Sequence, residues 1–198
     1  MRLGYLFPIQ WLPDILCFNF CTQETKLHDI SNTFFLNKDE PLNELVNAPI
    51  DTSQTSILIE KSQYRLTLYI DKQPIKAYRV VFGDDPVNDK RREGDRRTPE
   101  GIFKVRDLYP HPSWSKFIWL DYPTQTSWQK HFEAKQKGEI KWSDTIGSEI
   151  GIHGVPREAD NWIDEKNNWT WGCISLKNKD VDEIYEAIQT GTTIEIIP

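Results

Sequence analysis

From Ile57 to Phe82 the chain alternates apolar and polar residues with the period of a β-strand. Ile57-Leu58-Ile59-Glu60 and Tyr64-Arg65-Leu66-Thr67-Leu68-Tyr69-Ile70 are rich in β-branched and aromatic side chains, with the short polar break Lys61-Ser62-Gln63 between them. That pattern predicts a hairpin. Asp71-Lys72-Gln73-Pro74 reads as a turn, and Ile75 to Phe82 as a third strand. A sheet with one apolar face must bury it against something else, so this stretch commits the chain to a β-rich core. Ile102–Val105, Phe117–Leu120 and Ile150–His153 supply further strands. Two segments carry helical signals. Gln129–Lys137 is a short polar helix ending before Gly138. Val181, Ile184, Tyr185 and Ile188 form an i, i+3, i+4, i+7 stripe, with Asn178 as N-cap, Asp180 and Asp182 in the first turn, and Gly191 as terminator. Thr192–Ile197 then closes the chain as a strand. The expected fold class is mainly β with one or two helices packed on the sheet.

The texture changes near residue 55. Residues 1–55 are irregular, aromatic at first and then polar, with a short helix around Glu44-Leu45-Val46 after Pro41. We therefore expect an N-terminal extension over 1–55 and one folded domain over 56–198, a size that suits a single core. Arg2 ahead of the apolar Leu3–Ile9 resembles the start of a signal or anchor segment, although Pro8, Pro13 and Asp14 interrupt it. Export, membrane association through this end, a misassigned start and a packed extension remain open readings. No apolar run is long enough for a standard transmembrane helix. The formal net charge of −6 argues against a general nucleic-acid binder.

The chemistry-bearing candidates are one histidine and one cysteine. His153 lies in Ile152-His153-Gly154-Val155-Pro156, and Cys173 in Thr170-Trp171-Gly172-Cys173-Ile174-Ser175-Leu176. Each stands where a strand meets a turn, beside a glycine that lets backbone come close to a ligand. Cys17 and Cys21 lie far from Cys173, and no cysteine pair has structural-zinc spacing, so no metal is expected. A thiol paired with an imidazole is held as a resting thiolate and attacks carbonyls. Backbone N–H groups around Gly172 and Cys173 are then expected to hold the oxyanion. The bland alternative is a core cysteine and an unrelated histidine.

The local patterns favour the first reading. His153-Gly154-Val155-Pro156 followed by Thr170-Trp171-Gly172-Cys173-Ile174 resembles the signature of the L,D-transpeptidase catalytic domain (YkuD-type). Thr98-Pro99-Glu100-Gly101 is similar to the turn that precedes a core strand in that family, and the hairpin Ile57–Ile70 to its opening. With Gly94–Gly101, the chain looks most like the YafK-like branch. The resemblance implies a β-sandwich-like catalytic domain of the cell envelope or periplasm, monomeric, without metal or cofactor, acting on peptidoglycan stem peptides. It implies Cys173 as nucleophile, His153 as base, and Thr170, Gly172 and Gly154 as loop-positioning or oxyanion residues. Ser175 stands where many members carry Arg, and Trp171 where some carry a second His, which leaves a backbone carbonyl to orient His153. Hydrolysis by the same thioester is the alternative outcome, as an L,D-carboxypeptidase or an amidase releasing wall-bound protein. A non-catalytic peptidoglycan-binding module is the third reading.

Trp171, Ser175 and Arg157 are candidate substrate contacts. Trp162, Trp169 and Trp171 are expected around the cysteine loop, and Arg157–Asn168 as a polar lid. The charged stretch Gly83–Arg97 reads either as a solvated loop of compensating charges or as a rim gripping an anion. His111 is expected on a surface loop and His131 on a polar helix face; His28 has no assigned role.

Overall fold

The computed structural model describes residues 35–46 and 49–198. The expectations for Arg2–Ile9, Cys17, Cys21 and His28 lie outside the described residues.

The alternating stretch folds as an antiparallel meander of β1 (Thr55–Glu60), β2 (Arg65–Ile70) and β3 (Gln73–Arg79). Lys61–Gln63 make a 3-10 turn closed by Tyr64 in the left-handed region. Asp71 and Lys72, both at positive φ, make the tight second turn that right-twisted strands require. Alternation places Ile57, Ile59, Leu66 and Leu68 in the core. Each such side chain contributes roughly 1.5–3 kcal/mol on burial.

β4 (Gly101–His111) runs well past Val105, where its apolar alternation ends. A bulge between Val105 and Asp107 divides it. Its first half pairs with β8 (Thr193–Ile197) and its second with β5 (Ser115–Leu120). β6 (Gly151–His153) and β7 (Ile174–Ser175) complete an eight-stranded sheet of order β3-β2-β1-β8-β4-β5-β6-β7. The C-terminal β8 is thus central, parallel to β1 and antiparallel to β4. Val81, just beyond β3, exchanges two 2.9 Å backbone hydrogen bonds with Ser175 of β7. The two edges of the sheet therefore meet, and the sheet curls on itself.

The helices are α1 (Leu42–Leu45), α2 (Gln125–Gln136), α3 (Asn161–Asp164) and α4 (Asn178–Ala187). α1 and α3 are single turns; the two longer helices, α2 and α4, are those expected from the polar stretch before Gly138 and from the apolar stripe. α2 starts earlier than Gln129 because Thr124 and Ser127 form a capping box. In α4, Val181 and Ile184 face the core as the stripe requires. Asn178 is the first helical residue rather than the cap; Lys177 is the N-cap, without a side-chain bond. Gly191 sits in the turn after the helix, its N–H donated to Val105 O at 2.8 Å. Leu42 of α1 joins the main core. Lys76 Nζ binds Glu40 O and Glu183 Oε2, both at 2.6 Å, which ties this preceding segment to β3 and α4.

Candidate active site

β6 and β7 run parallel, with Ile152 opposite Ile174 and His153 opposite Ser175. Ile152 and Ile174 both enter the core. Alternation turns their neighbours His153, Cys173 and Ser175 to the other side. Cys173 therefore stands diagonal to His153. A strand spacing of about 4.8 Å and two residues of rise, about 3.3 Å each, set their backbones roughly 8 Å apart on the same side of the sheet.

His153 is almost fully buried, at 2% exposure. Its ring is stacked on Trp114 at 4.3 Å between centroids, with Phe117 and Trp169 at 5.8 and 5.5 Å. Nδ1 lies 2.7 Å from Gly154 O. A carbonyl only accepts, so Nδ1 carries the proton and Nε2 is left as the acceptor. The orienting partner is thus a backbone carbonyl. Burial pushes the imidazole down to about 4, the Gly154 bond opposing this and His111 adding to it. His111 is not an isolated surface residue, because its ring stacks on the far side of the site at 4.3 Å from Trp114. Gly154 has no room for a side chain, since a Cβ there would lie 2.1 Å from Asn178 Oδ1 and 2.5 Å from Trp114 O. Its N–H is donated to Trp114 O at 3.0 Å.

Cys173 as a whole residue is half-buried. Its thiol reaches Glu149 O at 3.5 Å. Burial pushes the thiol up to about 11, only partly offset by the Gly151 backbone and Lys90. Burial thus works against the expected resting thiolate and favours the neutral thiol and the neutral imidazole. Tyr109 of β4 lies near the sulfur. Burial raises its phenol, with Asp107, Glu149 and Cys173 adding to the shift, and its ring stacks on Phe117 at 5.4 Å.

The loop before the cysteine is held by Thr170. Its Oγ1 donates to Cys173 O at 2.7 Å and accepts from Gly172 N at 3.2 Å. The Gly172 N–H is therefore already engaged, contrary to the expectation that it is free for an oxyanion. Gly172 has φ +131, and a Cβ there would lie 2.6 Å from Arg97 O. The charged stretch 83–97 thus packs directly under the cysteine loop. It is neither simply solvated nor a free anion clamp. Asp95 accepts from Lys90 Nζ and from the N–H groups of Arg91, Arg92 and Arg97 at 2.7–3.1 Å. Lys90 is buried, while Arg97 pairs with Asp85 at 2.8 Å and Arg96 with Asp84.

The remaining candidates separate. Trp171 is 74% exposed beside the cysteine, with Arg96 over its ring. Arg157 is exposed in the turn after β6. Ser175 is fully buried, so its side chain offers no substrate contact; its hydroxyl turns to Gly154 O at 3.1 Å. The segment 157–168 is anchored rather than free to move as a lid. Ala159 and Ile163 pack with Val81 and Val155, and Asn168 Oδ1 accepts from Phe82 N. His131 is buried, not on a polar face, with Nδ1 2.6 Å from Arg91 O. The sequence reading missed Trp114 and Phe117, the lining of the His153 ring. Their one signal is aromatic density around the Ser115 turn.

No curated protein matches the chain. Solved structures do match. Pgp2 of Campylobacter jejuni, described as a helical cell shape determining protein, is 21% identical with a TM-score of 0.52, covering 78% of this chain and 53% of that one. Bd1075 of Bdellovibrio bacteriovorus is 22% identical with a TM-score of 0.50, covering 73% and 48%. This chain spans about half the length of those two. At such identities the likeness concerns the fold, which agrees with the mainly β catalytic domain expected. The profile of the YkuD L,D-transpeptidase catalytic domain matches residues 54–196. That span takes in all eight strands but for one terminal residue, together with both motifs, and the chain belongs to the L,D-transpeptidase catalytic domain family.

Proposed function

We propose that the protein is a cysteine acyltransferase of the cell envelope that cleaves peptidoglycan stem peptides through a Cys173 thioester, with His153 as base. The observation that carries this is the β6–β7 register. It sets a half-buried thiol diagonal to an imidazole whose Nδ1 is tied to Gly154 O. Burial favours the neutral form of both groups, so in this reading proton transfer accompanies attack instead of preceding it. Cys173 Sγ leaves Glu149 O and bonds to the peptide carbonyl carbon as its proton passes to His153 Nε2. The imidazolium then protonates the leaving amine as the C–N bond breaks, giving the thioester. In the second half, an amine or water gives a proton to Nε2 and bonds to the carbonyl, and sulfur leaves and recovers that proton. Nothing in the first half depends on the acceptor. An amine gives transpeptidation; water gives hydrolysis, as in an L,D-carboxypeptidase or an amidase releasing wall-bound protein.

Trp171 and Arg157 line the approach to the sulfur in this reading. The domain proper begins near residue 56; the stretch around Glu40 and Leu42 packs against it, and the residues at the start of the chain serve export or membrane association. Incubating the protein with a carbapenem and measuring its intact mass tests the nucleophile. The expected result is one acyl adduct, mapped to Cys173 and absent from Cys173→Ala. No adduct, with Cys173 inert to iodoacetamide up to pH 11 in the folded protein, would leave a peptidoglycan-binding module. Digestion of muropeptides separates transfer, which yields dimers, from hydrolysis, which yields trimmed stems.

A further inference from the structure

Ser175 is a polar residue beside the imidazole that the reaction leaves without work. Its backbone is fully engaged, since its N–H and C=O each bond to Val81 at 2.9 Å. Its side chain is sealed from solvent. Parallel pairing sets it directly opposite His153. From there Oγ reaches Gly154 O at 3.1 Å, the same oxygen that His153 Nδ1 meets at 2.7 Å. A carbonyl oxygen has two lone pairs and no proton, so both neighbours must donate to it.

We infer that Ser175 is a positioning residue: its hydroxyl fixes the Gly154 carbonyl as the acceptor that holds the His153 ring with Nε2 bare toward the thiol. This rests on His153 acting as base, but its main test does not require turnover. The Gly154 carbonyl lies just beyond the end of β6, outside the ladder that orients strand carbonyls. The flanking groups point elsewhere: Gly154 N–H goes to Trp114 O, and His153 O accepts from Leu176 N at 3.0 Å. Ser175 Oγ is thus the second of two donors that set where this oxygen points. A neutral imidazole has two tautomers, and the one with hydrogen on Nε2 cannot take a proton from sulfur. The aromatic rings of Trp114, Phe117 and Trp169 fix the plane of the ring but not its tautomer. Among the described residues, the ring's hydrogen-bond partner is the Gly154 carbonyl, and it sits at Nδ1.

The test is the ring 15N–1H long-range spectrum of His153 at pH 7, assigned by its loss in His153→Gln. The wild type is expected in the single Nδ1–H form. Ser175→Ala, which removes one oxygen and leaves the chain otherwise intact, is expected to show both tautomers. On muropeptides it should lower kcat about tenfold with KM unchanged, since a loosened base slows proton transfer but not binding. Ser175→Thr keeps the donor and should keep the single tautomer. A Ser175→Ala protein with the wild-type tautomer and wild-type kcat overturns the assignment, and the hydroxyl is then merely a satisfied core group. If the wild type turns over no muropeptide, the proposed function fails, while the tautomer comparison still decides the role of Ser175.

Discussion

The most discriminating perturbation is pH, read at one sulfur. Burial carries the Cys173 thiol from its ordinary 9.0 to about 11, and the His153 ring from 6.5 down to about 4. A rise of that size at the sulfur corresponds to about 3 kcal/mol of lost thiolate stability. At pH 7 the thiolate fraction is then about a hundredfold smaller than in an unperturbed thiol. The sign follows from the order of the two values. Between about 4 and 11 neither group is charged, so no plateau of ion-pair reactivity exists near neutrality. Iodoacetamide alkylation should be followed from pH 5 to 11 by mass spectrometry of the peptide that contains Cys173, which excludes signal from Cys17 and Cys21. The rate should climb about tenfold per unit across pH 7–10 and stay below that of free cysteine throughout. His153→Gln should leave this simple alkylation almost unchanged, because the ring is not what sets the thiolate population. A rate that levels off below pH 8, or falls sharply in His153→Gln, refutes the reasoning and restores a resting thiolate–imidazolium pair.

Three further outcomes follow from the same contacts. Gly172→Ala forces a side chain into φ +131 and against Arg97 O, so it should destabilise by about 2–3 kcal/mol and abolish carbapenem acylation, checked by denaturant titration and intact mass. Asp180 is raised to about 6, chiefly by burial, with Lys179, Lys76 and Lys177 opposing and Glu183 reinforcing. A raised carboxyl stabilises the fold below its unfolded value near 3.8 and loses that as pH climbs through about 6. Asp180→Asn should therefore gain about 1–2 kcal/mol at pH 7.5 and nothing below pH 4, and an equal gain at both pH values would refute this. Asp95→Ala strips buried Lys90 of its carboxylate and frees three backbone N–H groups; it should cost about 3–5 kcal/mol and make the 83–97 loop a new site of limited proteolysis.

Much of the fold was legible because alternation reports burial. Strands with one face in the core, such as β1 and β2, declare themselves, as does the stripe of α4. The second half of β4 does not, since Arg106–His111 is held by backbone pairing with β5 and carries no alternating apolar face. His131 was misplaced for a related reason. Its helix is mostly polar, and its hydrogen-bond partner is Arg91 O from a loop forty residues away in the chain. Trp114 was invisible because stacking on His153 joins a hairpin tip to a strand end, a contact between residues with no local signal.

The amino-acid sequence alone determined the β-rich class, the amphipathic C-terminal helix and the two glycine-flanked motifs around His153 and Cys173, since period and local spacing are properties of the chain. Tertiary structure decided that β8 lies in the middle of the sheet and that its edges meet through Val81 and Ser175. It also decided the direction in which burial moves the two ionisable groups of the site. Ionisation depends on how much water and which neighbours surround a group, and those neighbours (Trp114, Phe117, Trp169 and Glu149) come from separate segments that only folding assembles.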